Sequence, residues 1–428
     1  MENMSDQGND NPLNIMVLTS DQYPPIRPAA KAIFGEEFTN RGHRVDWLMQ
    51  AADAATKGGR HKWGNGWLYL ASTKAGSSRL QRLKKNVLDF VNDLRIFPLA
   101  RSQRYDVIQA KDKYLPAVLC WLAARISGSK FCFWLAYPHV EAQLYAARHG
   151  QARYPLLYWL RARYRSLLLY RLLLPRADHI FVQSEQMRID IAAKGIDPES
   201  MTPVPGSLNL EDVRYRKDDD PGPEGPTILY VGTLIRARRL DFVIRVFAKV
   251  LERFPAARLS IVGKGENPED EELLHREVRA QKIDPSSVDF VGQVPVDEVW
   301  RYIERSAVCL SPYYPSFILN STSPTKLIEY MAMARSVVGN EHPEQSQIIS
   351  ESKAGHCVPW DETAFADAIV DLLQDPDKAR NMGLEGRKWV AQHRTNAKMA
   401  DVVEKRYMSL LNDRDRGGDR RSGTSGSI

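Results

Sequence analysis

Three observations predict two doubly wound α/β domains in tandem. Short apolar runs of strand type recur between helical stretches: "NIMVLTS" (14–20), "HRVDWLM" (43–49), "YDVIQA" (105–110), "KFCFWLA" (130–136) and "ADHIFVQS" (177–184). Buried parallel strands joined by helices have this appearance. A charged stretch, "RYRKDDDPGPEGP" (214–226), then breaks the pattern with three prolines and two glycines, and the pattern restarts at "TILYVG" (227–232). The 428 residues are enough for two or three separate cores.

Taken in order, the first strand is followed by the loop "DQYPPIRP", a helical pattern through "AAKAIFGEEFTNR" closed at Gly42, and the strand 43–49, which together make a βαβ unit. Beyond the break, "RLDFVIRVFAKVLERFP" sets Leu240, Val243, Ile244, Phe247, Val250 and Leu251 on one helical face. The strands "ARLSIVG", "VDFVG", "AVCLSP" and "SVVGN" alternate with the helices "EELLHREVRAQKI", "VDEVWRYIERS" and "PTKLIEYMA". A last helix spans about 394–411. The expected division is a first domain 1–215, a linker 216–226, a second domain 227–393, a helix crossing back at 394–412 and a disordered tail 413–428.

Composition narrows the function classes. Apolar and charged fractions of 43% and 26% are those of a soluble globular chain. The four cysteines (Cys120, Cys132, Cys309, Cys357) form no C-x-x-C pair and read as buried thiols in a reducing compartment, not as a metal site. The polar, acidic start reads as no secretory signal, and the longest apolar run, "SLLLYRLLLP", is interrupted by Arg171, so a cytoplasmic location is expected. The net charge of +6 is uneven. Residues 1–217 carry 31 Lys+Arg against 20 Asp+Glu, and residues 218–428 carry 28 against 33. No Asp-x-Asp pair stands near the strand-end loops, and neither first strand leads into G-x-G-x-x-G, which disfavours a NAD-dependent dehydrogenase.

The informative loops of the second half all follow strands: Gly232, Gly263–Gly265, Gly292 and Ser323–Lys326. Ligands of open α/β sheets bind at such carboxyl ends. Ser323 reads as an N-cap with Pro324 at the first helical position, so the free N–H groups near Thr325 and the helix dipole make an anion site. Lys326 adds a cation where the dipole disfavours one, and Glu329 lies one turn on, placed to accept from a diol. A plain Lys–Glu helix pair explains the same spacing. Arg236, Arg238 and Arg239 crowd the loop before the next helix, with diphosphate recognition and a solvated helix start as the two readings. His139 follows a strand, where a structural histidine is equally at home.

In this order and spacing, "YPP…RGHRV", "ADHIFVQSE…VPGSLNLEDV", "ILYVGTL…R…LDFVIRVFAKV", "LSIVGKGE", "VDFVGQVP" and "PTKLIEYMA" resemble the retaining glycosyltransferases of family four, which have the GT-B fold. The resemblance implies two Rossmann-like domains with a cleft between them. The second would bind a nucleotide sugar (UDP- or GDP-linked) as substrate, with no cofactor or metal, and the first would bind the acceptor. It puts Arg238 in the place of the diphosphate-binding Lys and Glu329 in that of the ribose-holding second Glu of E-x7-E. Gly232 and Gly263 allow close approach, Gln293 lies by the base, Arg236, Ser323 and Thr325 lie by the phosphates, and His139 lies near the reacting sugar. The chain departs from the pattern at Ser321, where the first Glu belongs, at Arg335 and Ser336 in place of Gly and Pro, and at "IRPAAK", where a Gly-Gly pair is usual and Arg27 stands.

Seven arginines and no acid occupy Ala142–Ala177, among Leu, Tyr and Trp159, and eight Lys+Arg without an acid occupy Ala54–Leu88. No nucleic-acid module is recognisable. An anionic membrane surface and ordinary helix packing are the two readings. The function expected is transfer of a sugar, with retention and without metal, from a nucleotide sugar to a saccharide acceptor. A lipid-linked acceptor at the inner face of the membrane in polysaccharide assembly is favoured. The alternatives are an epimerase or phosphorylase of the same fold, or a catalytically degenerate nucleotide-binding scaffold.

Overall fold

A computed structural model describes residues 12–24, 30–53, 56–72, 79–148, 154–215 and 226–422. Arg27, nearly all of the expected linker and the last residues of the tail lie outside them. Two compact units are present: Met1–Pro205 with Asn396–Ile428, and Gly206–Thr395.

In unit 1 the strands are β1 (Asn14–Tyr23), β2 (Arg44–Ala51), β3 (Gly59–Trp63), β4 (Gly66–Ala71), β5 (Val107–Lys111), β6 (Lys130–Leu135), β7 (His179–Val182) and β8 (Met201–Pro203). They form one sheet in the order β3-β4-β2-β1-β5-β6-β7-β8, parallel except for the β3–β4 hairpin. Apolar runs are buried on both faces, as parallel strands require. The strand order reverses between β1 and β5. The helices used below are α1 (Arg79–Asp93), α2 (Tyr114–Ser127), α3 (His139–Arg148) and α4 (Pro155–Leu167).

Unit 2 has β9 (Thr227–Val231), β10 (Arg258–Val262), β11 (Val288–Gly292), β12 (Val308–Ser311), β13 (Val337–Asn340) and β14 (Gly355–Val358) in the parallel order β11-β10-β9-β12-β13-β14. The order reverses between β9 and β12. Around this sheet lie α5 (Asp241–Arg253), α6 (Pro268–Ala280), α7 (Thr325–Ala332), α8 (Pro343–Ser352) and α9 (Pro376–His393). The apolar face read for α5 is the buried one: Val243, Ile244, Phe247 and Val250 are all in the core. Residues 206–215, assigned from sequence to the first domain, pack in unit 2, because Leu208, Leu210, Val213 and Tyr215 insert beside Leu327, Met331 and Val390.

The last helix, α10 (Asn396–Ser422), belongs to unit 1 and continues into part of the tail for which disorder was expected. Ala400, Val403 and Tyr407, spaced three and four apart, share one face and are fully buried. The Tyr407 hydroxyl donates to Gln109 Oε1 at 2.6 Å, and Glu404 pairs with His43 at 3.0 Å. Among the described residues no helix is long and apolar enough to cross a membrane. Cys120, Cys132 and Cys309 are buried thiols, and Cys357 is half-buried.

Candidate functional site

Three strand ends of unit 2 are stitched together through glycines. The N–H of Gly232 donates to the Val262 carbonyl at 3.0 Å, and that of Gly263 to the Gly292 carbonyl at 2.9 Å. Gly263 has φ +145°, and a Cβ there would lie 1.8 Å from the Gly232 carbonyl oxygen, so only glycine fits. The loops leave a groove of about 570 Å³ lined by Lys264, Glu271, Gly292, Gln293, Val294 and Pro295.

Next to this ladder, the chain end of β9 is tied to α7. The buried Tyr330 hydroxyl accepts the Val231 N–H at 2.8 Å, which fixes the helix one residue before Gly232. Two residues beyond Val231, Thr233 Oγ1 accepts from Arg238 Nε at 3.0 Å. The Arg238 guanidinium stands 5.9 Å from the ring centroid of Tyr313, which follows β12. Arg238 and Gly232 therefore lie at the β9/β12 switch point, where open sheets bind ligands, and α7 is tied there through Tyr330. Replacing Tyr330 by Phe leaves the Val231 N–H buried without its partner. Denaturant unfolding should register a loss of about 1–3 kcal/mol.

Several expectations change here. Ser323 is not the N-cap of α7. Pro324 holds that place (φ −79°, ψ 71°) without a side-chain cap, and Thr325 is the first helical residue. The Ser323 hydroxyl is buried, accepts the Gly206 N–H at 3.0 Å and donates to Glu344 Oε1 at 2.9 Å, so it serves the packing beneath the helix. Lys326 and Glu329 face the surface and pair at 2.7 Å. Arg236 pairs with Asp270 at 3.4 Å. Arg239, in the left-handed region at φ 52°, is bound by Asp241 at 3.3 Å, which raises its guanidinium above the ordinary value. Ser321, where an acid was sought, is buried and donates to the Phe317 carbonyl at 3.1 Å. At the end of α7 the left-handed residue is Ala334 (φ 53°), one position before Arg335.

Glu344 escaped the sequence reading. It is 9% exposed, and its Oε1 also accepts from Arg394 Nη2 at 2.9 Å. Its Oε2 has no hydrogen-bond partner among the described residues. Burial pushes its carboxyl up to about 7 despite Arg394 and Ser323, and burial pushes the Arg394 guanidinium down. In sequence it looks like an ordinary acid in the first turn of α8, and nothing in the spacing reveals its burial.

In unit 1, His139 opens α3, with its ring 5.0 Å from that of Tyr137. It lines a cavity of about 360 Å³ with Ser20, Asp21, Gln22, Asp112, Tyr114 and Arg165. This cavity lies at the β1/β5 switch point, and of its lining only His139 was expected. Most of α4 is exposed: Leu156 and Leu157 are 72% and 62% accessible, and Ala162 is its buried residue. Ordinary burial in the domain therefore does not explain the apolar side chains of α4, whereas Leu169, Leu173 and Leu174 further along the Arg-rich stretch are in the core. Among the described residues no group of three His, Cys, Asp or Glu side chains is placed to hold a metal ion.

Comparison with known proteins follows the same division. A family model described as glycosyl transferase 4-like domain matches residues 34–206, and one described as glycosyl transferases group 1 matches 225–375. The chain is 24% identical over 256 residues to alpha-maltose-1-phosphate synthase of Mycolicibacterium smegmatis, covering 55% of this chain and 64% of that protein. It is 26% identical over 216 residues to the GDP-mannose-dependent alpha-(1-6)-phosphatidylinositol monomannoside mannosyltransferase of Mycobacterium tuberculosis, covering 49% of this chain and 54% of that protein. The matched region thus spans less than two thirds of either relative's length. Among solved structures, sucrose-phosphate synthase from Thermosynechococcus elongatus superposes with a TM-score of 0.71 at 19% identity, over 94% of this chain and 100% of that one. Anabaena HepE in complex with UDP and glucose gives 0.66 at 13% identity, over 93% and 100%. The chain belongs to the glycosyl transferases built from a 4-like domain followed by a group 1 domain, and its fold is GT-B.

Proposed function

We propose that the chain transfers a sugar from a nucleotide sugar, UDP- or GDP-linked, to a saccharide acceptor, with retention and without a metal ion. The observation that carries this reading is Arg238, held by Thr233 just past β9, at a strand end that Tyr330 of α7 ties through the Val231 N–H. As the glycosidic bond breaks, negative charge grows on the leaving diphosphate. The fixed Arg238, the half-exposed Lys326 and the open end of a helix are suited to receive it. Lys326 would exchange Glu329 for the diphosphate, which frees the Glu329 carboxylate for the ribose diol. The glycines at 232 and 263 let the backbone approach, and the groove at Gln293 has room for the base. The UDP seen in HepE and the GDP-mannose named for the mycobacterial relative support a nucleotide-sugar donor. The phosphatidylinositol mannoside in that relative's name, with the exposed apolar and arginine-rich α4, favours a lipid-linked acceptor at an anionic membrane face inside the cell. Polysaccharide assembly is the matching role.

The test is incubation with a panel of UDP- and GDP-sugars and lipid-linked acceptors, with products read by mass spectrometry in the presence and absence of EDTA. A new glycosidic bond of donor-like anomeric configuration, formed equally with EDTA, is the expected result. Binding without turnover on any acceptor points to a nucleotide-binding scaffold instead. In calorimetry with UDP and GDP, Glu329→Ala should weaken nucleotide binding about tenfold to a hundredfold, the loss of a charge-assisted hydrogen bond.

A further inference from the structure

The cavity at the β1/β5 switch point of unit 1 holds two buried polar groups whose hydrogen-bonding capacity is unused. Asp112 is 8% exposed and sits in the left-handed region at φ 54°. Its Oδ1 accepts from the Ala136 N–H at 3.0 Å, whereas Oδ2 has no hydrogen-bond partner among the described residues, with Lys111 Nζ 3.8 Å away. Lys111 is already held by Asp21 at 2.7 Å. Tyr114 is 7% exposed, and its hydroxyl is likewise unpartnered. Buried polar atoms are nearly always satisfied, so an acceptor and a donor left open on two residues that line one cavity point to a ligand hydroxyl. Arg165 lies 5.8 Å from the Tyr114 ring, and burial together with the nearby Arg161 holds its guanidinium below the ordinary value, a cost that an anion would relieve.

The cavity does not end there. Ser20, Asp112, Tyr114 and Arg165 also line a second space of about 650 Å³, which opens along α1, α2 and α4. Its far walls are apolar and accessible: Val87 is 53% exposed, Leu115 48% and Tyr164 56%. The acids on its rim share an internal cation, since Lys113 bridges Asp89 at 2.9 Å and Asp93 at 2.8 Å. Arg161 stands at the same wall as Arg165. An open acceptor and hydroxyl, two guanidiniums and an apolar trough thus line two adjoining spaces, which matches the parts of an amphiphile.

We propose that the two spaces form one acceptor site for a phosphate-bearing amphiphilic alcohol. Its hydroxyl lies between Asp112 Oδ2 and Tyr114, its phosphate against Arg161 and Arg165, and its apolar chain along Val87, Leu115 and Tyr164. The assignment rests on the glycosyltransferase reading above and names the acceptor class for it. The full chain is titrated calorimetrically with decyl phosphate below its micelle concentration, with glycerol 3-phosphate and with inorganic phosphate, and in parallel with UDP and GDP. Decyl phosphate should bind at least about 100-fold more tightly than inorganic phosphate. Arg165→Gln should weaken decyl phosphate and glycerol 3-phosphate about tenfold each, and Tyr114→Phe, which removes only the unpartnered hydroxyl, should weaken glycerol 3-phosphate, which carries alcohol hydroxyls, and leave decyl phosphate unchanged. Leu115→Gln, on an accessible wall, should weaken decyl phosphate severalfold and leave inorganic phosphate unchanged. Nucleotide affinity should stay at the wild-type value in all three. Equal affinity for decyl and inorganic phosphate, Arg165→Gln and Leu115→Gln variants that bind decyl phosphate like the wild type, or a Tyr114→Phe variant that binds glycerol 3-phosphate like the wild type, overturns the proposal. Nucleotide binding without decyl phosphate binding removes the acceptor site alone, and the converse removes the donor reading while the amphiphile site stands.

Discussion

Alanine at Arg238 or at Lys326 is expected to lower kcat/KM for sugar transfer by about 100- to 1000-fold, with most of the loss in kcat. The charge these groups meet is larger in the transition state than in the intact donor. Their contribution therefore falls on the chemical step. The two residues differ in how they are held. Arg238 is fixed beforehand, by Thr233 at 3.0 Å and by its place beside the Tyr313 ring, so Lys at 238 should recover little. Lys326 is half-exposed and paired with Glu329, so its loss also frees that carboxylate next to the incoming diphosphate. Lys326→Ala should therefore affect donor KM more than Arg238→Ala does. The double variant Lys326→Ala/Glu329→Ala should lose less than the two single losses combined, as groups acting as a unit do. Wild-type kcat/KM in both single variants would sink the assignment of the leaving-group site.

The parts of the fold that were legible are those where the sequence pattern and the burial coincide. The central strands of both sheets are continuous apolar runs, and α5 shows its buried face as a repeat of three and four. The β3–β4 hairpin was missed for the opposite reason. β3 is "GRHKW", an edge strand with Arg60, His61 and Lys62 all exposed, so it reads as part of a basic loop. Within the candidate site, the residue types were readable and their partners were not. Lys326 and Glu329 signal themselves through short-range spacing. Tyr330 acts on Val231, 99 residues away in the chain, and Ser323 on Glu344, 21 residues away. The local grammar of Ser-Pro before a helix predicted a cap, but burial drew the hydroxyl into tertiary contacts. Propensity describes a surface helix start better than one wedged over a buried carboxylate.

That carboxylate leads to the largest stability effect. Arg394→Met should destabilise unit 2 by about 3–5 kcal/mol at pH 8, since it leaves the Glu344 charge buried without its cation. The loss should shrink markedly at pH 5.5. The carboxyl of Glu344 is held at about 7 in the folded state against an ordinary value of 4.5, so the folded protein binds the proton more tightly than the unfolded chain. Its stabilising contribution is complete below about pH 4.5 and is lost as pH rises through 7, the sign required when the native state holds more protons. Asp93, raised by burial to about 7 in unit 1, works in the same direction, so the wild type should also become less stable from pH 5 to pH 8. Glu344→Gln should flatten the part of that slope that belongs to unit 2, because the amide keeps an acceptor for Ser323 and carries no charge to strand. Urea unfolding followed at pH 5.5, 7 and 8 separates these cases. An Arg394→Met loss equal at all three pH values would mean that Glu344 stays ionised throughout, and that the contact with Arg394 outweighs the burial of the charge.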